Sequence, residues 1–317
     1  AEDSDQYESV GLNEEIFCAF TEGYLSSAAP FLTPIEVNHL PYAVALFPYM
    51  QCVRFLTDYI NGDIYYKTAY SEHNLVRARN QILLYQDVRR HDKMIHNKLL
   101  NAADIPTHFE KENITYHKIN IVNWADEYPY CPNVEFAIAH QNDAILLHYR
   151  VEENSPRATV ANDLGNVWED SCCEFFFSLN TDTDYYNLES NCISTVLLCN
   201  GKGRNNRTQA PTNILNQINR WASLGRKPFG QCEGQQTWQL ALIIPVSAFF
   251  HHHIETLSGQ ILRANFYKCG DKTPQPHFLS WNEINIPSPD FIAPTSLGNS
   301  LSYNKQNSKL AFHIISI

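Results

Sequence analysis

The sequence has no run of Lys and Arg dense enough to track a phosphate backbone, and its formal net charge is -11. Nucleic acid and anionic membrane surfaces are therefore excluded as partners. No apolar stretch approaches the roughly 18 residues a bilayer span requires, and nothing near the N-terminus is patterned as a signal peptide. No CxxC pair occurs among the nine cysteines, at 18, 52, 131, 172, 173, 192, 199, 232 and 269, an odd number. Neither a zinc ribbon nor a complete disulfide framework is signalled, and reduced thiols in a cytoplasmic protein are the expectation. Methionine is confined to Met50 and Met94, so no Met–His pair at an axial spacing points to haem. The opening AEDSDQ has no Met, which predicts a piece processed or cut from a longer chain.

What is present fits a folded protein, with hydrophobic residues at 44% and charged ones at 18%. At 317 residues the chain is long enough for two cores. The first hundred residues have helical spacing. Ile16, Phe17, Phe20, Tyr24 and Leu25 recur behind Asn13, Glu14 and Glu15, a cap and an acidic first turn. Thr33-Pro34 opens a second helix, with breaks predicted at Pro41 and Pro48 and a stop at Asn61-Gly62. Ser71 is the predicted cap of a third, from about Glu72 to His96, with Leu75, Ala78, Ile82 and Val88 inward and Arg77, Arg79, Arg89 and Arg90 mostly outward.

Between residues 97 and 116 the helical period fades, Pro106 intervenes, and after Tyr116 the pattern has period two. A boundary near 100–115 divides the chain into domains 1–100 and 101–317. Strands are predicted at 134–139, 144–151, 173–180, 185–192, 195–198, 236–244, 260–269 and 310–315, with short helices near 213–217 and 246–250. The fold class is α+β, a helical N-terminal subdomain followed by an antiparallel β-sandwich.

The stretch WEDSCCEFFF, 168–177, organises the second domain. Cys173, Phe175 and Phe177 share one parity while Asp170 and Glu174 fall on the other, which predicts a half-buried strand with an acidic outer face. An exposed Trp168 beside carboxylates suits a saccharide, whose apolar face stacks on a ring while its hydroxyls need acceptors; a packed core Trp satisfies the same pattern.

Two resemblances follow from longer strings. CVRFLTDYINGDIYYKTAYSEHNLVRARNQILL, 52–84, preceded by EEIFCAFTEGYLSSAAPFLTPIEVNHLPYA, 14–43, resembles the C-terminal helical part of the aminoglycoside phosphotransferase and choline kinase-like superfamily, within the branch of N-acetylhexosamine 1-kinase-type sugar kinases. That resemblance implies a phosphotransferase parent needing ATP and Mg2+, with its upstream kinase lobe as a partner in the same polypeptide. The His-Gly-Asp type base loop, the Asp-x-Asp metal loop and the nucleotide lobe all belong upstream and are missing here, so this segment is predicted inactive alone. His91-Asp92 lies in a charged helix end without that context. In the second half, the ordered landmarks VEFAIAH, AILLHYRVEE, VWEDSCCEFFF, YYNLESN, WQLALIIPVSAFF, RANFYKCGD and HFLSWNEI, with PDF and LGN downstream, resemble a family 9 carbohydrate-binding module. Such modules belong to the DOMON-like, immunoglobulin-like sandwiches; the resemblance spans about 115–313 and implies a mono- or oligosaccharide partner.

Residue by residue, the resemblance makes Trp168 the first stacking aromatic and Glu174 the carboxylate that bonds sugar hydroxyls. Six residues of extended strand span about 20 Å, so Trp168 has to sit on a loop folded back over the sheet. Asn187, Glu189 and Asn191 share a parity and complete a polar floor if they lie beside Glu174. Arg204 and Arg207 in GKGRNNRT could donate to a sugar oxygen or simply be solvated. The family clamps its sugar between two Trp rings; here the second is Trp281, which could equally be core, or Phe291, at a position where a Trp is expected. Asp182 and Asp184, with Asn180, are weak candidates for Ca2+, an acidic turn being the simpler account. Adjacent His251, His252 and His253 point different ways and rarely chelate together. Modules of this family are found attached to xylanases, but Glu169, Asp170 and Glu174 on one strand are not the opposed carboxylates of a glycosidase. The expectation is saccharide binding without catalysis. The alternatives are a cytoplasmic sugar 1-kinase whose sandwich positions substrate, and a structural module that has lost its ligand.

Overall fold

A computed structural model describes residues 3–28, 32, 34–141, 143–179, 183–292, 300–302 and 313–315, and the chain forms two compact units, 1–101 and 102–317. No helix among the described residues is long and apolar enough to cross a membrane.

The first unit is helical, with α1 (Glu14–Ala28), α2 (Pro34–Ile60), α3 (His73–Arg90) and α4 (Asp92–Leu99). The Asn13 side chain accepts the Ile16 N–H at 2.9 Å, the expected cap of α1. Contrary to the predicted breaks, α2 runs unbroken through Pro41 and Pro48. Each proline removes one backbone bond, but the surrounding turns and the burial of Ala45, Cys52 and Phe55 against neighbouring helices hold the helix together. Ser71 does not cap α3; Glu72 occupies that position without a side-chain bond, and the helix ends at His91 rather than continuing to His96. The turn after α2 is fixed by buried Asp58, whose carboxylate accepts the N–H groups of Tyr65 and Tyr66 and the amide of Asn74, at 2.8, 2.9 and 2.9 Å.

In the second unit, α5 (Ile105–Lys111) begins with Pro106 in its first turn, where a missing N–H costs nothing; that position of the proline hid the helix from the sequence reading. Two antiparallel sheets follow. One has the spatial order β1 (His117–Lys118), β3 (Asn133–Gln141), β4 (Ala144–Asn154), β12 (Gln235–Pro245) and β10 (Asn219–Ala222). The other runs β16 (His313–Ile315), β15 (Ser300–Ser302), β13 (Ile261–Cys269), β6 (Cys172–Leu179), β7 (Tyr185–Asn191), β8 (Val196–Lys202) and β9 (Asn206–Gln209). At its side β14 (Phe278–Ser280) pairs with β13 and with β2 (Ile121–Val122), while β5 (Arg157–Ala158) and β11 (Phe229–Gln231) form a separate ribbon. The helix α6 (Thr212–Leu215) lies in the β9–β10 connection.

The sheets pack face to face over a core in which Phe136 of the first stacks on Phe266 of the second at 3.6 Å, and Phe266 on Phe175 at 4.9 Å. The architecture is the predicted antiparallel sandwich. Cys173, Phe175 and Phe177 enter this core as their parity requires. The opposite face of β6 is not solvated as expected, for all eight residues of the strand are buried. Loops cover that outer face with a second apolar cluster containing Trp124, Phe176, Tyr185, Tyr267, Ile284 and Phe291.

The inter-sheet core also holds an ion pair, Lys268 Nζ to Glu153 Oε2 at 2.9 Å, with both side chains fully buried. Trp238 Nε1 donates to the other Glu153 oxygen at 2.7 Å, and Lys268 Nζ donates to His277 Nε2 at 2.7 Å. Burial and the Lys268 charge push His277 well below its usual range, so it accepts through Nε2 while Nδ1 donates to the Gln275 carbonyl at 2.8 Å. Lys268→Met, which strands the Glu153 carboxylate, is expected to lower stability by about 3–5 kcal/mol, read from the urea midpoint, and Glu153→Gln/Lys268→Met to recover part of the loss. Equal midpoints for wild type and Lys268→Met would remove the pair from the forces holding the core.

Candidate functional site

On the outer face of the second sheet, under the covering loops, lies a cavity of about 620 Å³. That volume is within the range of small-molecule sites, roughly 300–1,000 Å³. Its floor is set by strand register. Glu174 on β6 is directly opposite Glu189 on β7, Phe176 is opposite Asn187, and Cys172 is opposite both Asn191 and, on the other side, Cys269 of β13. Asn187 Nδ2 donates to Glu189 Oε1 at 2.7 Å, and Cys269 Sγ lies 3.0 Å from Glu174 Oε1 as donor. Arg207, from β9, donates to the Asn187 side-chain oxygen and to the Tyr185 carbonyl, its guanidinium 4.3 Å from the Tyr185 ring centre. Gly201 stands opposite Arg207 in the β8–β9 hairpin with φ of 154°, and any Cβ there would lie 1.9 Å from the Asn206 carbonyl oxygen.

Loops make the walls. Trp168 belongs to a 3-10 turn, Val167–Glu169, whose backbone is joined to the loop after β13 through Asp271 N to Trp168 O and Lys272 N to Glu169 O, both 3.1 Å. Glu169 and Lys272 also form an ion pair at 2.8 Å. Fully buried Asp170 holds the other side of the turn: it accepts from Arg157 at 2.7 Å, from the N–H groups of Thr159 and Val160 at 3.0 and 2.8 Å, and from Asn191 at 3.0 Å. Across the cavity, Arg204 binds Asp290 at 2.8 Å and the Tyr185 hydroxyl donates to the Ile292 carbonyl, drawing residues 289–292 over the sheet.

Of the residues singled out in the sequence, Trp168, Glu174, Glu189, Arg204, Arg207 and Phe291 line this one cavity. Phe291 stacks on Tyr267 at 4.4 Å and is otherwise inserted among Trp124 and Phe278. Three expectations are corrected. Asn191 is on the right face but at the wrong end: its amide is fully used on Val160 O, Asp170 Oδ2 and the N–H of Thr195, so it supports the Trp168 loop. Trp281 follows β14 at the parity of Leu279, which faces the inter-sheet core, and packs there on Phe136 and Phe266 at 5.4 and 5.6 Å. Phe278, one parity step away, supplies cavity wall instead. Asp170, expected on an outer acidic face, is internal, as described above. Sequence reasoning missed Asp271 and Cys269 as cavity residues, although the CGD string at the end of β13 marked the spot. Asp182 and Asn180 lie outside the described residues; Asp184 is half exposed and paired with Lys202 at 3.4 Å. His252 Nδ1 shares a hydrogen with the Tyr186 hydroxyl at 2.7 Å, while His251 and His253 are exposed.

The site is rich in groups that hold protons. Burial, and then Glu189 beside it, push the Glu174 carboxyl well above its ordinary 4.5 against the Cys269 thiol's donation. Burial pushes Glu189 up to about 7, opposed by the Asn187 amide, and raises Asp271 to about 6, with Glu169 adding to it. Burial also pushes the Cys172 thiol up to about 12 and Cys269 well above its usual range. Such clustering of displaced carboxyls in a cavity is characteristic of binding sites.

Comparison with known proteins places the match on this unit. The sequence profile of carbohydrate-binding family 9 matches residues 103–301. A candidate carbohydrate-binding protein of Bacteroides uniformis ATCC 8492 is similar at 43% identity over 65% of this chain and 93% of its own, with a TM-score of 0.63. Family 9 modules of Caldicellulosiruptor kristjanssonii, solved with glucose and with cellotriose, align at 12% identity over 62% and 66% of this chain and 88% and 92% of theirs, with TM-scores of 0.38 and 0.41.

Because the Glu189 carboxyl binds its proton more tightly folded than unfolded, the stability it contributes is full below about pH 4.5 and is lost as pH rises through about 7. Glu189→Gln is expected to flatten the fall in thermal midpoint across that window in chelator-containing buffer. A slope identical to wild type would show that Glu189 does not titrate there.

Proposed function

The chain belongs to carbohydrate-binding family 9, and from that premise we propose that its sandwich binds a mono- or oligosaccharide in the cavity on the outer sheet, without transforming it. The observation that carries this is one cavity combining the Trp168 ring with the preset polar floor of Glu174, Glu189, Asn187 and Arg207. A pyranose presents an apolar face to a ring and a rim of hydroxyls that both donate and accept, and this lining offers acceptors and donors to match. Glu174 and Glu189 lie side by side on neighbouring strands of the floor rather than across a cleft, an arrangement for gripping hydroxyls more than for flanking a scissile bond. Water competes for every hydroxyl, so affinity is modest.

A second reading concerns the helical unit, which leaves Ile16, Phe20, Tyr42, Phe47, Val53 and Ile60 exposed on α1 and α2. So much uncovered apolar surface favours a unit that is part of a larger body, in keeping with its resemblance to the helical part of a sugar kinase. An upstream lobe of that kind would supply the ATP and Mg2+ sites, and the sandwich would then serve substrate positioning.

Calorimetric titration of the chain with glucose, xylobiose, cellobiose and N-acetylhexosamines is expected to show binding by at least one, weakened roughly five- to tenfold by Trp168→Ala from lost stacking of about 1–1.5 kcal/mol. Arg207→Ala should weaken it as well, since it frees the Asn187 and Glu189 side chains from their set positions. Absence of binding across the panel by a chain with native circular dichroism overturns the saccharide reading.

A further inference from the structure

Two residues that line the cavity, Glu174 and Cys269, stand together with a second buried thiol, that of Cys172. Cys172 and Cys269 are directly opposite on β6 and β13, and Glu174 is the next residue along the same face of β6. Their two Sγ atoms and one Glu174 oxygen all lie within 4.8 Å of one another, the Cys269–Glu174 separation being 3.0 Å. This is the only such grouping of three His, Cys, Asp or Glu side chains among the described residues. In a tetrahedral zinc site, with Zn–S near 2.3 Å and Zn–O near 2.0–2.2 Å, ligand atoms stand roughly 3.5–3.8 Å apart, so small side-chain adjustments would close the set around one ion.

An independent observation points the same way. Glu189, opposite Glu174, is 3% exposed, and its Oε2 has no hydrogen-bond partner although the side chain lines the cavity. A buried carboxylate oxygen left without a partner is costly, and a nearby cation is one of the few things that relieves it. Arg207 does not do so by contact, because its Nη2 is directed to Asn187 and the Tyr185 carbonyl.

We propose that Cys172, Glu174 and Cys269 form a binding site for a soft divalent cation of the zinc class, with Glu189 beside it and a fourth position facing the cavity. Two thiolates select such a cation over calcium or magnesium, which take oxygen ligands. Coordination requires Cys172 and Cys269 to bind as thiolates and Glu174 as carboxylate, the displaced protons leaving to solvent, so uptake weakens as pH falls. The fourth position is filled by water or by a hydroxyl of whatever occupies the cavity. The site is made of the chain's own side chains and stands whether or not the cavity takes a sugar.

The full chain, reduced and stripped of metal, is titrated with Zn2+ alone by calorimetry and with Co2+ as the spectroscopic probe. Expected are one equivalent bound, a raised thermal midpoint, and thiolate-to-cobalt charge-transfer absorption. Cys172→Ser/Cys269→Ser abolishes that absorption and lowers zinc affinity at least tenfold, while Glu174→Gln keeps the absorption and lowers affinity. Should the double variant not fold, Cys269→Ala serves, with charge-transfer intensity per cobalt about halved. No charge-transfer absorption from a chain with native circular dichroism overturns the proposal. So does zinc binding unchanged by the loss of both thiols, which would locate the metal elsewhere, for example at the exposed histidines after β12. A Cys172–Cys269 disulfide that resists reduction in the folded chain overturns it too. No sugar enters these titrations, so their failure is distinguishable from failure of the saccharide reading.

Discussion

Glu174 and Glu189 face each other across neighbouring strands on a surface from which water is largely removed, and much of the outer half of the sandwich is arranged around that placement. Burial is what makes both hold protons above their ordinary range, and for Glu174 the neighbouring Glu189 adds to it. The neighbours offset part of the cost. Asn187 donates to Glu189 and is itself oriented by Arg207, and the Cys269 thiol donates to Glu174. Each of these partners comes from a different strand, so the register of β6, β7, β9 and β13 is what assembles the floor. A slip of one residue in any of them would turn its polar group into the inter-sheet core.

That same alternation divides the sheet between two kinds of buried polar chemistry. Lys268 and Cys269 are sequence neighbours on β13; the first points inward to Glu153 and Trp238, the second outward to Glu174. The inward set is closed, since each ionic group has a partner of opposite character and nothing from outside is required. The outward set is open, with more acceptor capacity than donors and an oxygen of Glu189 left over. Closed polar networks specify a fold, whereas an open one in a cavity has capacity for a ligand.

Alternation was what the sequence displayed best. The long strands β3, β4, β6, β7, β12 and β13 carry β-branched and aromatic residues with period two, bounded by turn residues, and the sandwich followed from them. Short strands such as β5, β10 and β14 are too brief for a period to be read, and β14 is where the parity of Trp281 was lost. The prolines of α2 illustrate the opposite error: a local rule predicted breaks that packing over 27 residues overrode. The Trp168–Glu174 pairing was legible from the WEDSCCEFFF string, because strand length alone forced Trp168 onto a returning loop. The Cys172–Cys269 pairing was not, since it depends on the alignment of two strands about ninety residues apart, and a single sequence holds no record of register between distant segments.

The loops over the sheet then determine how well the cavity can bind anything. Asp170 fixes the Trp168 turn with a buried carboxylate that satisfies Arg157, two backbone N–H groups and Asn191, and Arg204 with Asp290 fixes the opposite wall. Neither clamp needs a ligand to form, and Arg207 holds Asn187, and Asn187 holds one oxygen of Glu189, without one. Side chains already held in place lose little freedom when a ligand arrives, and for a solute that water solvates well this saving decides whether binding is measurable at all. The Arg204–Asp290 clamp is the more exposed of the two, at a side-chain exposure of 61% for the arginine, and exposed pairs hold only weakly. What holds residues 289–292 over the sheet is therefore mainly the burial of Phe291 against Tyr267, with the bond from the Tyr185 hydroxyl to the Ile292 carbonyl beside it.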